Sequence, residues 1–218
     1  MSASKMTDQL IARLVSDLKP QEPIIDSKLW LHCTVCLLIV ASVVIAMMGL
    51  RTDFPTALQD GAMLWKPGIF LFAWISSILL ILDLSRPIKR VEKRHFVPFF
   101  LAGTILLWQL IVQLPFLSTS DAALSLRDPS AIYCLSVIIG GGGIVMVVSW
   151  KFWFSRTASP NPTALGALAG FSAGCLAATA YALHCDKDGI LYIFIYYGIS
   201  VVTLSFLGSL LSKKLLKW

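Results

Sequence analysis

The chain has 218 residues, of which 57% are hydrophobic and 14% charged, with a formal net charge of +6. A soluble domain is nearer one quarter charged, and no single soluble core absorbs this much apolar surface without leaving large exposed patches. These values exclude an ordinary soluble globular protein and point to an all-α, polytopic membrane protein.

Residues 1–29 form a polar tail, too short for a domain and without the apolar core of a cleaved signal peptide. Within it, Thr7 to Pro20 has a helical period. Leu10, Ile11, Leu14, Val15 and Leu18 make one apolar stripe, with Asp8 and Asp17 on the polar side. Thr7 suits the N-cap, Asp8 suits the positive end of the dipole, and Lys19-Pro20 supplies a stop. A helix of about twelve residues is marginal alone in water, so the stripe needs a partner protein, the membrane surface or the rest of the chain. Few cations lie on its polar face, which weakens attraction to lipid. Pro20-Gln-Glu-Pro23 is a short stiff spacer.

Six apolar runs follow, each long enough to cross a hydrocarbon core of about 30 Å as a helix. They are Trp30–Leu50, Pro67–Leu84, Phe96–Leu114, Ala131–Trp150, Thr163–Leu183 and Gly189–Leu211, so residues 30–218 form a six-helix transmembrane domain. The second run ends at Asp83, with Arg86 one helical turn away to pair with it. The cations are unevenly shared. Fourteen of the 18 lie in the tail, beyond the second and fourth runs, and after the sixth, against Arg51, Lys66, Arg127 and Lys187 in the other gaps. By the positive-inside rule both termini are cytoplasmic. The positive charge then reports topology and contact with anionic lipid, and direct nucleic-acid binding explains it poorly.

Span one begins with His32 and Cys33-Thr-Val-Cys36, a C-x-x-C without the strand-helix context of a thioredoxin site; packing is its simplest role. Span three carries Gln109 and Gln113, suited to hydrogen bonds between helices. Span four holds Cys134 in its first turn and four successive glycines, Gly140 to Gly143, which suit close packing or a bend. In span five Gly166, Gly170, Gly174, Ala178 and Ala182 recur every four residues, a small-residue ridge for close helix approach within the bundle or in a homodimer.

The turn Ala182-Leu-His-Cys-Asp-Lys-Asp-Gly189 joins spans five and six on the same outer side as Cys134. Three readings stand. Cys134 and Cys185 form a disulfide if their Cα atoms come within about 7 Å. With His184 and Asp186 they offer a mixed ligand set for a transient soft or borderline ion such as Zn(II) or Cd(II). Or they are two unrelated cysteines. Lys187 and the N-terminus of span six would both favour a thiolate. Enzyme signatures are missing: the chain has no carboxylate pair at membrane depth, no phosphate loop and no nucleophile elbow, and no constitutive cofactor is implied.

The run Tyr181-Ala-Leu-His-Cys185, then Tyr196-Tyr-Gly198 and the ending LGSLLSKKLLKW, resembles the NrsF family. The likeness extends to the GALAGFSAG segment, the cysteine opening span four and the TDQLIARLVSDLKP helix. Members are regarded as bacterial six-helix inner-membrane anti-sigma factors for extracytoplasmic-function (ECF) sigma factors of the sigma-F type. The resemblance implies that the cytoplasmic N-terminal segment holds the sigma factor, through Asp8, Leu10, Ile11, Leu14, Val15, Asp17 and Leu18. It also implies that Cys134 and Cys185 sense heavy-metal or oxidative stress in the periplasm. The chain departs from the family in having Cys-Asp-Lys-Asp where Cys-Pro-Glu-Asp is common, and Tyr-Tyr-Gly for Trp-Tyr-Gly. A small transporter or channel acting through Asp83, Gln109 and Gln113, or a membrane thiol oxidoreductase using Cys33 and Cys36, are the alternative readings.

Overall fold

The computed structural model describes residues 7, 8, 11, 12, 15, 16, 26–86, 91–116, 127–157 and 159–215. The architecture is all-helical, with no strand among the described residues, and six helices are long and apolar enough to cross a membrane.

Helix α1 (Asp26–Met48) opens on Asp26 at the positive end of its dipole and stops at Gly49, whose φ of 83° ends the helix at no steric cost. A short helix, α2 (Phe54–Gln59), fills the connection to α3 (Ala62–Leu84). A 3-10 turn, Lys93–Phe96, leads into α4 (Val97–Gln113). Helix α5 (Ser130–Phe152) follows, its first N–H groups met by Asp128 Oδ1, which accepts from the Ser130 N–H at 2.9 Å. Helix α6 (Pro162–Tyr181) has Asn161 as N-cap, accepting from the Ala164 N–H at 3.1 Å, and Pro162 as its first residue. The last span, α7 (190–215), begins as Ile190–Tyr192, widens into a π-helical turn at Ile193–Tyr197 and continues as Gly198–Leu215.

Two boundaries differ from the sequence reading in ways that matter. Helix α3 starts at Ala62, five residues before Pro67, and carries that proline inside it, giving up the ladder bond that residue 67 would donate to the Met63 carbonyl. Lys66 is therefore inside the helix. Helix α6 ends at Tyr181, so residues 182–185 form a tight turn in which the N–H groups of His184 and Cys185 both donate to the Tyr181 carbonyl.

At the centre lies α6, packed on α7, α3, α5 and α1. Its small residues permit this: almost every side chain from Leu165 to Tyr181 is buried. Helix α4 sits at the edge against α3, with Ala102 its buried residue and Phe100, Leu107 and Trp108 facing outward. Such a face suits contact with lipid. Helix α5 runs unbroken through Gly140–Gly143, and a Cβ on Gly142 would press on Leu204 and on the Ala173 carbonyl. That glycine is there for contact.

Candidate functional site

Cys134, in the second turn of α5, and Cys185, in the turn after α6, are both buried, free thiols. They lie within electrostatic reach of each other. The Tyr192 hydroxyl lies close to Cys134 and shares a hydrogen bond with Ser130 Oγ at 3.1 Å. Tyr181 and Tyr197, with ring centroids 5.9 Å apart, close the other sides. The Tyr197 hydroxyl is fully buried and faces Cys185, yet it has no bond of hydrogen-bonding geometry among the described residues. The π-helical turn brings this tyrosine inward: its ring stacks on Phe70 at 5.2 Å.

The turn itself is clasped by cations. Lys66 is 0% exposed. Its ammonium donates to the carbonyls of Cys185 at 2.9 Å and Lys187 at 2.8 Å, and to Asp188 Oδ1 at 3.3 Å. It also lies 5.5 Å from the centroid of the Tyr197 ring. A buried ammonium survives only with such compensation. Arg51, equally buried, bonds both oxygens of Asp53 at 2.7 Å and reaches Asp188 Oδ2 at 2.7 Å. Its N–H also meets the Leu183 carbonyl. The bonds and charge of the two carboxylates hold the Arg51 guanidinium pKa above its ordinary value, and Arg51 in turn holds Asp53 below the usual carboxylate range. Asp128 is also held low, first by the Ser130 hydroxyl and N–H, then by Lys187.

The remaining members of the expected ligand set face elsewhere. His184 Nδ1–H donates to the Gly49 carbonyl at 3.0 Å, and Asp186 is exposed beside Lys187. The four residues do not gather as a ligand cluster. Among the described residues the group of three whose ligand atoms lie within 4.8 Å of one another is Asp83, Glu92 and His95, at the opposite end of the bundle. The expected source of positive charge also changes. Lys187 points to Asp128 at 3.5 Å, and the N-terminus of α7 is met by Gln113, whose Oε1 accepts from the Ile190 N–H. The cation at the thiols is Lys66. A polar hollow of about 420 Å³, lined by Arg127, Asp128, Asp186, Lys187, Asp188 and Tyr192, adjoins the turn that follows Cys185.

The other expected residues are placed as follows. Asp8, Ile11 and Val15 are helical and exposed, Ile11 at 52% and Val15 at 60%; Leu10, Leu14, Asp17 and Leu18 lie outside the described residues. Gly166, Gly170 and Gly174 abut α7, and a Cβ on Gly170 would collide with the Leu204 carbonyl. Cys33 and Cys36 are buried, with His32 Nε2 3.6 Å from the Cys36 sulfur and 3.1 Å from Ser149 Oγ. Asp83 Oδ2 accepts from His95 Nδ1 at 2.6 Å and from the Glu92 N–H, while Arg86 pairs with Asp26 of α1, correcting the expected Asp83–Arg86 contact. Gln113 also donates to Gln109 within α4. A cavity of about 530 Å³ among α3, α4, α6 and α7 is apolar, lined by residues such as Phe70, Phe99, Phe171 and Cys175. Sequence reasoning passed over Lys66, Arg51 and Asp188. The signal was there in part: Arg51, Lys66 and Lys187 are three of only four cations at that end of the molecule.

A protein-family model described as negative regulator of sigma F, NrsF, matches residues 14–218, nearly the whole chain. The chain belongs to the NrsF family. Its members are regulators in name, so this NrsF protein is a negative regulator of a sigma factor, and the regulator itself has six helices long and apolar enough to cross a membrane. No curated protein and no solved structure matches it.

Proposed function

We propose that this NrsF protein is an inner-membrane anti-sigma factor. Its cytoplasmic N-terminal helix sequesters an ECF sigma factor of the sigma-F type, and its periplasmic thiols release that factor under heavy-metal or oxidative stress. The observation that carries this reading is the exposure of Ile11 and Val15, the two described residues of the N-terminal stripe. Ile11 and Val15 are uncovered by the six-helix bundle, so the apolar side of the tail is left for a partner. The thiol pair supports the sensing half: it is buried, chemically reactive in type, and Cys185 directly precedes residues that line a polar hollow. Moving a two-state bundle from 1:99 to 99:1 requires about 5.5 kcal/mol of differential interaction, and a closed disulfide supplies typically about 2–4 kcal/mol, so the thiols contribute part of the shift and the helices they link supply the rest.

The test is to purify the tagged protein from its host in mild detergent, beside a form lacking residues 1–20, and identify what copurifies. A sigma factor with the full chain and none with the truncation is the expected result. Equal recovery in both samples, or none in either, overturns the assignment of the tail.

A further inference from the structure

We propose that the apolar hollow between α4 and α7 is a binding groove for one acyl chain of a bilayer phospholipid. The site belongs to the membrane bundle and stands apart from both the thiol turn and the N-terminal tail.

The hollow exists because of how α4 is held. That helix packs on α3 and meets α7 at the latter's first turn, where Gln113 accepts from the Ile190 N–H at 3.0 Å. Beyond that point about 530 Å³ stays open between the two helices, with α3 and α6 behind it. Ligand sites usually measure roughly 300–1,000 Å³. Two glycines keep the space clear. Gly103 of α4 and Gly198 of α7 both line the hollow, and a Cβ on either would meet no atom within 4 Å. At Gly166, Gly170 and Gly208, by contrast, the backbone of the neighbouring helix stands in the way. The π-helical turn shapes one wall: Ile193 and Phe194 line the hollow, while Tyr197 of the same turn stacks on Phe70.

Chemistry and depth together select the occupant. Among the described lining residues Thr203 alone carries a hydroxyl, and none is charged. Water finds too few partners in such a space, and apolar cavities stay dry while accepting apolar guests. Ala73, Phe171 and Val201 of the lining sit near the midpoints of α3, α6 and α7. The hollow is also continuous with the lipid-facing surface. Phe194, Ile199 and Val202 line it and are exposed, and Phe100, Leu107 and Trp108 extend the same apolar surface along α4. A groove open to that surface at mid-span depth meets hydrocarbon. A phospholipid acyl chain is narrow and flexible enough to enter it, and the walls add dispersion contacts on several sides.

The experiment uses the full-length protein in vesicles of phosphatidylethanolamine and phosphatidylglycerol. The probe is a phosphatidylethanolamine with a photoactivatable diazirine midway along one acyl chain, and peptide mass spectrometry maps the adducts after illumination. A groove surrounds a chain on most sides where a plain helix face touches it on one. Residues 99–106 and 193–203 should therefore carry about threefold more label than the exposed faces around Leu38 of α1 and Val147 of α5. Gly103→Leu/Gly198→Leu fills the hollow from two open positions and should bring its peptides down to the level of those faces. Gly140→Leu, which faces open space on α5 outside the hollow, should keep the wild-type pattern. Label spread evenly over all lipid-facing helices of the wild type overturns the proposal, since it means that α4 closes on α7 in the bilayer. Groove labelling that persists after filling overturns it as well. The wild-type ratio depends on no variant, so it decides the matter even where the double substitution weakens the fold.

Discussion

Lys66 and Arg51 show what a buried charge needs in a membrane protein. Each is almost without solvent, and both meet at Asp188, with Asp53 and two backbone carbonyls completing the set. The arrangement converts a polar turn, which alone would have many conformations, into one clamped to α3 and to the end of α1. Removing one partner of such a group leaves charge uncompensated, a loss that is much larger than the net worth of the intact pair. Asp188→Ala should therefore destabilise the protein by about 3 kcal/mol, at the low end of the range because Arg51 keeps Asp53. Asp60→Ala, at an exposed position, should change little. The thermal midpoint in detergent, read by the loss of monodisperse protein, separates the two. Equal midpoints for both variants would mean that the clasp is ornamental.

The α6–α7 pair sets the scale at which elements pack. Gly166, Gly170 and Gly208 lie where the two backbones nearly touch: a Cβ at Gly208 would strike the Gly166 carbonyl, and one at Gly170 the Leu204 carbonyl. Ser205 Oγ donates to the Ala167 carbonyl across the same contact at 3.0 Å. Backbone cannot yield as a side-chain tip can, so added volume must separate the helices. Gly170→Ala and Gly208→Ala are each expected to cost about 1–3 kcal/mol or more. Gly140 and Gly143 face open space on α5, and alanine there should be neutral or stabilising by up to about 1 kcal/mol, because it lowers the entropy lost on forming the helix. A melting series on the four variants checks this, and a uniform loss would mean that the quartet matters for packing as much as the ridge does.

At the scale of the whole molecule, helix α3 connects the two ends. Lys66 at one end grips the thiol turn, and Asp83 at the other takes His95 and Glu92 of the segment entering α4. The two positions are 17 residues apart, about 26 Å along a helix. Arg86, just beyond, pairs with Asp26 at the root of the N-terminal tail. Under the proposed orientation, an impermeant thiol reagent added to intact cells should label a cysteine placed at Lys187 and spare one placed at Ser4. The reverse pattern would invert the topology and put the thiols on the reducing side, where a disulfide between them would not persist.

Sequence alone was enough for the features that depend on local composition. Six spans and the small-residue ridge are periodicities of apolar or small residues, and lipid as a solvent enforces them one helix at a time. The pairing of Cys134 with Cys185 across some fifty residues, the inward turn of Tyr197 and the burial of Lys66 depend on tertiary structure. Lys66 reads in sequence as a cation flanking Pro67, and it becomes the centre of the site only because α3 begins at Ala62 and the turn after α6 folds over it. His184 and Asp186 look like ligands by proximity to Cys185 in the chain, but a tight turn sends neighbouring side chains in different directions, and Gly49 and solvent take them. Chain neighbours share a position, whereas a binding site requires converging directions, and only the packed bundle sets those.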